Sequence, residues 1–331
     1  MSTAPADADA LAAMLAEASE SGEPVEIVGL GTHGRAGRPV PAERSLSTGS
    51  LTGIVDHVPE DLTITVRAGT PVAELARHLA ERGQSWPQVD AREGGTVGGV
   101  LATAWSGRSR LGFGPVRDSV LRTVVATGDG RLVAGGGTTV KGVAGYDLPR
   151  LAVGSHGTLG VIAEVTLKLW PRPPGDAWFR WGGASRERMA IADALRRRAP
   201  RPASVLLRAD GVFARLVGPP GDVAPPADGF EPCEEPPPLR PAGLVELGVS
   251  PARLDEVVRA LDAAGLGYEA LAGVGTVRVV VDSAGQMRAA REAAVGAGGH
   301  AVLRDGPDHL RSDPWSPEPA GLDIMRRLKA A

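Results

Sequence analysis

The chain has 331 residues, a formal net charge of -3 at pH 7 and 45 glycines, which is enough chain for about two domains. Its slightly acidic balance gives no electrostatic reason to expect a nucleic-acid partner. Cys233 is the single cysteine, so this chain lacks the several thiolates that a disulfide framework or an iron–sulfur cluster requires.

The first predicted element is a short helix over Asp9–Ser19, where apolar residues recur at helical spacing. Residues 1–22 are acidic and alanine-rich. They have neither the basic and apolar regions of a secretory signal nor the length of a membrane span. A cytoplasmic chain is therefore the default expectation.

A glycine-rich loop follows a predicted strand over Pro24–Gly29. Residues 29–34 satisfy the pattern G-x-G-x-x-G, which is typical of dinucleotide-binding Rossmann loops. A Rossmann loop must open a helix, whereas here Arg38-Pro-Val-Pro41 follows and proline breaks helical continuation. The sequence therefore predicts a strand-to-strand loop that offers backbone amides to a phosphate.

The next elements alternate between strands and a helix. Alternating β-branched residues predict a strand over Leu62–Arg67. A helix is predicted from Val72 to Arg82, with Thr70 as N-cap and Pro71 at the first helical position. An Asp-Gly turn at Thr127–Gly130 predicts a β-hairpin.

The most informative stretch runs from Arg92 to Ile162, where glycines occur in pairs, as at 94–95 and 98–99. Residues without a Cβ at this density indicate positive φ angles and a bulky ligand lying against backbone amides. We expect that ligand to contain a nucleotide diphosphate. A long strand region is predicted over Gly157–Leu169, and the prolines at 171–174 mark a domain boundary.

The second half has a different pattern. Strands are predicted over 244–249, 276–281 and 300–303, and helices over 251–264 and 284–297. This predicts an α+β layer with helices on one face of a sheet. The proline-rich, acidic residues 219–241 are expected to form a loop that is ordered by contact or mobile.

The order of these motifs resembles the FAD-linked oxidases of the vanillyl-alcohol oxidase and p-cresol methylhydroxylase superfamily. The motifs are Gly-Leu-Gly-Thr-His at 29–33, Glu-Gly-Gly-Thr-Val-Gly-Gly at 93–99, Gly-Phe-Gly-Pro-Val-Arg-Asp at 112–118 and Gly-Ser-His-Gly-Thr-Leu-Gly-Val-Ile at 154–162. Within the superfamily, residues 140–148 most resemble the FAD-binding subunit of bacterial glycolate oxidase. The resemblance covers the chain from about Val25 to Lys329.

The resemblance implies an α+β fold in two domains. Residues 1–172 would form a two-part FAD-binding domain of the p-cresol methylhydroxylase type. Residues 173–331 would form a smaller α+β cap domain that includes the proline-rich loop 219–241.

The implied cofactor is FAD, bound without a covalent link. The first loop would place its amides on one side of the FAD diphosphate, and the second, with the Thr96 hydroxyl, on the other. Small residues would let the chain pass close to the cofactor, and backbone groups near residue 161 would meet the adenine or flavin edge. The implied cofactor-binding residues are Gly29, Gly31, Thr32, His33, Gly34, Gly94, Gly95, Thr96, Gly98, Gly99, Ala102, Gly107, Gly160, Val161 and Ile162.

Structural alternatives stand beside these assignments. Any one of the glycines can be explained by a turn alone. Some family members attach FAD through a histidine of the first loop, but the matching place here is Thr32, so His33 is expected to form local hydrogen bonds or to face solvent. His156 is either a turn residue or a proton carrier.

No catalytic residue and no metal site are assigned. His300 and His309 are the only histidines after His156, and no His/Glu cluster accompanies them. The candidates to meet a substrate carboxylate are Arg208, Tyr268 and Arg278, each with the alternative of a surface or strand-edge position. Relatives continue beyond the final Lys-Ala-Ala toward the FAD domain, which predicts looser FAD retention by this chain.

The implied function is that of an FAD-binding subunit in a 2-hydroxy-acid oxidase or dehydrogenase complex, an FAD-dependent oxidoreductase acting on CH–OH donors. Glycolate is the expected substrate, and electrons would pass to a second flavoprotein subunit and an iron–sulfur subunit. Such partners could hold the chain at the inner face of a membrane, since no transmembrane segment is predicted. One alternative is an FAD-holding structural or electron-relay subunit without substrate turnover. A weaker alternative is a flavoenzyme like UDP-N-acetylenolpyruvoylglucosamine reductase.

Overall fold

The computed structural model describes residues 2–39, 41–90, 94–137, 147–239 and 242–330. The chain forms two compact units: the first comprises Met1–Gly34, Val40–Gly107 and Gly114–Arg172, and the second comprises Arg35–Pro39, Arg108–Phe113 and Pro173–Ala331. A single division at residue 172 would place both short segments in the first unit. They cluster with the second unit because Arg35 pairs with Asp305 and Arg108 pairs with Glu269.

The helices and strands are numbered in chain order. The helices are α1 Ala8–Ser21, α2 Val72–Ala80, α3 Val97–Ala102, α4 Arg110–Phe113, α5 Leu148–Ala152, α6 Arg188–Arg196, α7 Leu254–Ala263, α8 Ala284–Gly296 and α9 Leu322–Ala330. The strands of the first unit are β1 Ser2–Thr3, β2 Val25–Val28, β3 Arg44–Ser47, β4 Ile54–Val58, β5 Thr63–Arg67, β6 Gln84–Ser85, β7 Val120–Ala126, β8 Leu132–Gly136, β9 Val161–Lys168 and β10 Trp170–Pro171. The strands of the second unit are β11 Gly175–Trp181, β12 Ser204–Arg208, β13 Gly211–Gly218, β14 Phe230–Cys233, β15 Gly243–Gly248, β16 Tyr268–Leu271, β17 Thr276–Val281, β18 His300–Asp305 and β19 Trp315–Ser316.

The leading helix of the first unit is where its sequence pattern predicts it. The Asp7 side chain accepts a hydrogen bond from the Ala10 amide at 2.8 Å and so caps the first turn of α1. Gly22 ends the helix in a left-handed conformation, as C-terminal glycines commonly do. Leu11 is fully buried with Leu46 and Val161, which fixes α1 against β3 and β9.

The first unit contains a parallel sheet in the order β1-β3-β2 and an antiparallel sheet in the order β4-β5-β9-β7-β8. A short antiparallel pair, β6 and β10, is separate from both. The predicted hairpin is confirmed, since β7 pairs antiparallel with β8 across residues 127–131. The described residues between β2 and β3 contain turns and bends but no helix, in agreement with the exclusion of a Rossmann loop.

The predicted N-cap of α2 is wrong by one residue. Pro71, in an extended conformation, is the N-cap. The hydroxyl of Thr70 instead accepts the Gly53 amide at 3.0 Å. This threonine binds the turn before β4 and therefore does not cap the helix.

The second unit is an antiparallel sheet of nine strands in the order β14-β11-β13-β12-β16-β17-β15-β18-β19. Helices α6, α7 and α8 share one continuous apolar core with one face of this sheet, so the predicted α+β layer with helices on one face is confirmed. The strands at 243–248, 276–281 and 300–305 lie close to their predicted positions. The sequence analysis missed β11, β12, β13 and β16.

The proline-rich stretch is more ordered than expected. It contains a 3-10 turn at Pro220–Asp222 and the strand β14, so residues 219–241 are not a loop throughout. Residues beyond β14 are held by arginine side chains that donate to the Pro236 and Pro237 carbonyls. Among the described residues, no helix combines the length and apolar character needed to cross a membrane.

Candidate functional site

Two glycine loops of the first unit lie directly against each other. We call them the first cofactor loop, Gly29–Gly34, and the second cofactor loop, Gly94–Gly99, after the role that the sequence predicts for them. A Cβ atom added to Gly29 would lie 2.6 Å from Thr96 Oγ1, and one added to Gly95 would lie 3.0 Å from Thr32 Oγ1. The absence of a Cβ lets each of these glycines lie directly against the threonine side chain of the other loop.

The second cofactor loop turns through positive φ angles. Gly94 has φ +79° and Gly95 has φ +94°, values that residues with a Cβ rarely adopt. Thr96 then caps α3 by accepting the Gly99 amide at 3.1 Å. Thr96 is 1% exposed, so its hydroxyl is fixed between the two loops.

Two of the predicted contact residues have a packing role of their own. The Gly98 amide donates to the Ala68 carbonyl at 2.7 Å, and the Gly99 amide donates to Thr96. A Cβ on Gly98 would lie 2.7 Å from the Ala68 Cβ. These amides are used within the protein, so the remaining surface that Gly98 and Gly99 can offer a cofactor is at their Cα atoms.

A third loop, Gly154–Gly160, is fastened to the end of α3. The Gly154 amide donates to the Leu101 carbonyl at 3.0 Å, and the His156 amide donates to the Ala102 carbonyl at 2.8 Å. Gly160 then enters β9 at φ +141°, where a Cβ would lie 2.7 Å from the Ala126 carbonyl oxygen. The predicted residues of the three loops therefore belong to one connected region of the first unit.

The remaining predicted residues differ in their surroundings. Val161 and Ile162 are buried, at 4% and 5% exposure, in β9 opposite β7. Gly107 is buried against residues 88–90, and its amide donates to the Gln88 carbonyl at 2.8 Å. The His33 ring is 5.2 Å from the Trp105 ring. His33 thus contacts an aromatic side chain that is 72 residues away in the sequence.

Backbone strain is concentrated at the same loops. Among the described residues, three that are not glycine have positive φ, and two of them are Ala104, after α3, and His156. Such conformations cost about 1–3 kcal/mol each and persist where the surrounding structure enforces them. The φ of +52° at His156 is direct evidence for its turn role.

Residues 2–136 match the family model of the FAD binding domain. The amino-terminal part of the chain therefore carries an FAD-binding domain, and the match spans less than half of the chain. The glycine loops are compatible with this cofactor. The backbone at Gly29 and Gly95 lies close to Thr96 and Thr32, and no protein atom lies within 4 Å of an added Cβ at Gly31, which leaves the backbone there open to a ligand. Neutral backbone donors of this kind hold phosphates without a side-chain cation.

Several curated relatives are named for the oxidation of hydroxy acids. The chain is 41% identical over 152 residues to glycolate oxidase subunit GlcE of Escherichia coli (strain K12), covering 45% of this chain and 43% of that protein. It is 36% identical over 171 residues to a D-lactate dehydrogenase of Archaeoglobus fulgidus, covering 51% of this chain and 38% of that protein. It is 34% identical over 173 residues to glycolate oxidase subunit GlcD of Bacillus subtilis, covering 51% and 37%. The aligned stretch is thus less than half of each of these relatives.

A solved structure resembles the whole chain. An alkyldihydroxyacetonephosphate synthase matches 99% of this chain and 74% of its own, with a TM-score of 0.69 and 15% identity. At this identity the likeness shows the fold alone. It agrees with the α+β fold expected from the sequence.

The second unit contains a row of alternating charges, which we call the charge ladder. It crosses five neighbouring strands on the sheet face that does not carry the helices. Arg208 pairs with Glu269 at 2.6 Å, and Arg278 and Arg304 approach Glu246 at 3.7 and 3.8 Å. Glu269 and Arg278 are cross-strand partners. The ladder is formed by Arg208, Glu269, Arg278, Glu246 and Arg304.

The glutamates of the charge ladder stay ionised. Burial by itself would raise the pKa of Glu269, but Arg108, Arg278 and Arg208 outweigh it and hold the pKa below its ordinary value. Burial likewise acts against ionisation of Glu246, and its arginine neighbours, led by Arg304, lower its pKa. Both carboxylates are therefore committed to ion pairs and are poor proton acceptors.

The candidate carboxylate partners from the sequence are divided between the two sheet faces. Arg208 and Arg278 belong to the charge ladder, whereas Tyr268 lies on the helix side and donates to Asp262 at 2.8 Å. Burial, reinforced by Asp262, raises the Tyr268 pKa well above its usual range. The expectation of surface or strand-edge positions is wrong for Tyr268 and Arg278, which are 2% and 3% exposed on interior strands.

Other chemistry-bearing residues are dispersed. Among the described residues there is no group of three or more His, Cys, Asp or Glu side chains arranged to hold a metal ion. Burial raises the pKa of the Cys233 thiol. The motif at 140–146 and the residues Arg92 and Glu93, on which part of the resemblance depends, lie outside the described residues.

Sequence reasoning missed the residues that organise the second unit, namely Arg108, Glu246, Glu269 and Arg304. A usable signal existed, since Glu246, Glu269 and Arg278 each interrupt a short apolar strand. A charge at such a position predicts either an exposed face or a buried partner.

Proposed function

We propose that this chain is the FAD-binding subunit of a 2-hydroxy-acid oxidoreductase, and that glycolate is its substrate. The observation that carries the proposal is the pair of interlocked glycine loops within a matched FAD binding domain. The likeness to a glycolate oxidase subunit and to D-lactate dehydrogenases supports the substrate class.

The proposed roles of the chain follow from its own groups. The first and second cofactor loops would hold the diphosphate through backbone amides, and the residues at the start of β9 would lie along the ring edges. When bound, FAD would supply an acceptor for the two electrons that are removed from the carbon bearing the hydroxyl group. His33 packs on Trp105, which favours non-covalent attachment; acid denaturation should release all flavin from the polypeptide.

A second candidate function is a subunit that holds FAD and relays electrons without its own substrate turnover. One observation favours it: the acidic and phenolic groups singled out in the second unit are held in structural pairs. Glu246 and Glu269 are kept ionised by arginines, and Tyr268 is kept protonated. None of the three is then suited to remove the hydroxyl proton of a 2-hydroxy acid.

Anaerobic mixing of the FAD-loaded full chain with glycolate, and separately with D-lactate, tests the two candidates. Bleaching of the flavin absorbance by the chain alone supports turnover on this subunit and rejects the relay role. Bleaching only after addition of a copurified second flavoprotein supports the relay role. If the chain takes up no FAD at all, both candidates fail.

We propose a second flavoprotein subunit and an iron–sulfur subunit as partners. The names of two relatives, glycolate oxidase subunits GlcE and GlcD, support a multi-subunit assembly. The single cysteine of this chain supports a separate protein as carrier of any cluster. Affinity purification of the tagged full chain from its native cells, with iron and flavin analysis of what copurifies, tests this assembly.

A further inference from the structure

Each cofactor loop continues into a segment that belongs to the second unit. The first loop ends at Gly34, and the next residues, Arg35–Pro39, cluster with the second unit. The stretch that begins with the second loop ends at Gly107, and Arg108–Phe113 likewise cluster with the second unit. At both junctions a single peptide bond joins the first unit to an arginine of the second.

Arg108 donates at least five hydrogen bonds to residues in the described part of the chain. Its guanidinium is bidentate to Glu269, at 3.0 and 2.8 Å, and it also donates to Glu235 at 3.1 Å. The carbonyls of Pro236 and Pro237 accept at 2.6 and 3.0 Å. Arg108 and Glu269 are 4% and 1% exposed, so this anchor is fully desolvated, and bonds of this type fix position and orientation.

The anchor is close along the chain to the cofactor loops. The amide of Gly107, the residue immediately before Arg108, donates a hydrogen bond to the Gln88 carbonyl. Trp105 lies three residues before Arg108. Its amide donates a hydrogen bond to the Val100 carbonyl of α3 at 2.9 Å, and its ring lies beside the ring of His33. Arg108 is thus connected through Trp105 both to α3 and to His33 of the first loop.

Arg35 provides a second anchor with the same plan. Arg35 lies two residues after His33. Its guanidinium forms a bidentate pair with Asp305, at 2.9 and 2.8 Å. The pair is more exposed, at 52% and 31% for the two side chains, so it holds its segment less strongly than Arg108 does.

We propose that Arg108 is a positioning residue for FAD and that Arg35 is a weaker second one. Glycine-rich loops have many conformations available when they are not restrained. By fixing the residue directly after the first loop and a residue nine positions after the second, the two arginines preorganise the amides and reduce the ordering that FAD binding requires. The inference rests on the proposed placement of FAD on the cofactor loops.

The experiment compares Arg108→Gln with Arg188→Gln in the full chain. Arg188 is a matched control because it is also 4% exposed in the second unit and also pairs with a carboxylate, Asp262 at 2.7 Å. It lies on the helix side of the sheet and has no short chain connection to a cofactor loop. Fluorescence titration of each apoprotein gives the FAD dissociation constant, and urea unfolding gives the apoprotein stability.

We expect Arg108→Gln to weaken FAD binding about tenfold, within the usual range of coupling between distant sites, while Arg188→Gln changes it less than about twofold. Both variants should lose stability. Equal effects of the two on FAD affinity, or none from Arg108→Gln, would overturn the inference. Failure of the wild-type chain to bind FAD would instead count against the proposed function.

If Arg108→Gln does not fold, milder substitutions test the same proposal. Arg35→Gln should weaken FAD binding about threefold, and Arg259→Gln, which removes an exposed helix pair with Asp255, should not change it. Arg108→Lys should retain part of the affinity, since an ammonium cannot reproduce the bidentate bond. Wild-type affinity in both Arg35→Gln and Arg108→Lys would contradict the positioning role.

Discussion

The cofactor loops of the first unit and the charge ladder of the second are built from different groups. The loops are neutral and depend on residues without side chains at Gly29, Gly94 and Gly95. The ladder depends on long charged side chains on five adjacent strands. Backbone amides can bind and release an anion. Buried ion pairs must remain complete, because the loss of one partner leaves a buried charge uncompensated. The first region is therefore suited to a cofactor and the second to a fixed architecture.

The largest expected effect comes from removing the central carboxylate of the ladder. Glu269→Gln would leave the guanidiniums of Arg108 and Arg208 without their shared anion, and we expect a loss of about 3–5 kcal/mol in the free energy of unfolding. Urea unfolding measures it. Glu256→Gln is the control, because that side chain is 56% exposed in its pair with Arg253, and it should change stability by less than about 0.5 kcal/mol. Similar losses of unfolding free energy in the two variants would show that Glu269 contributes no more to stability than a glutamate in an exposed ion pair.

Acid should affect the ladder before it affects the loops. Because the pKa values of Glu246 and Glu269 lie below the ordinary 4.5 in the folded protein, their stabilisation is present above about pH 4.5 and is lost as pH falls toward the folded pKa values. Each contributes a slope of up to about 1.4 kcal/mol per pH unit in that window. Unfolding experiments between pH 5 and 3 should show a smaller slope in Glu269→Gln than in the wild type. Equal slopes would contradict the lowered pKa.

The next effect concerns the approach of the two cofactor loops. In Gly29→Ala the new Cβ would lie 2.6 Å from Thr96 Oγ1, so the loops must separate, and we expect FAD affinity to fall about tenfold, or 1.4 kcal/mol. Gly221→Ala is the control, since no atom lies within 4 Å of its added Cβ. Equilibrium titration with FAD measures both. An unchanged affinity in Gly29→Ala would mean that the loops do not form the diphosphate site.

The smallest effect separates cofactor contact from backbone strain. Gly31 and Gly22 have nearly equal angles, φ +72° and +68°, and in both cases no protein atom lies within 4 Å of an added Cβ. Replacement of either by alanine should therefore destabilise the apoprotein equally, by about 1 kcal/mol. Only Gly31→Ala should also weaken FAD binding, by about threefold, because its methyl group would meet the cofactor. Equal FAD affinity in the two variants would move the diphosphate away from Gly31.

Much of the fold follows from local pattern, and the exceptions have identifiable causes. The capped helix α1 and the Asp-Gly hairpin are encoded within a few residues, so the sequence predicts both. Strand β16, Tyr-Glu-Ala-Leu, contains no β-branched residue, and it exists because β12 and β17 pair with its two edges. Nothing within the strand itself signals that pairing.

The candidate site shows the same limit. Glycine density predicts where backbone lies close to a ligand, but it does not show which amides the protein uses itself. The amides of Val97 and Gly98 donate to carbonyls of Thr70 and Ala68, which come from a different part of the chain. Likewise, the partners of Arg278 become known only when strand register is known, and for that reason its burial was missed.

The prolines that follow β14 illustrate how a segment without regular structure is held. Pro236, Pro237 and Pro238 present carbonyl acceptors but no N–H donors, and the donors arrive from Arg108 and Arg208. The stiffness of this stretch is therefore supplied from outside it. Extra residues inserted between Pro225 and Gly229 should be tolerated, whereas a one-residue deletion at Glu234 would shift every acceptor out of reach of its arginine.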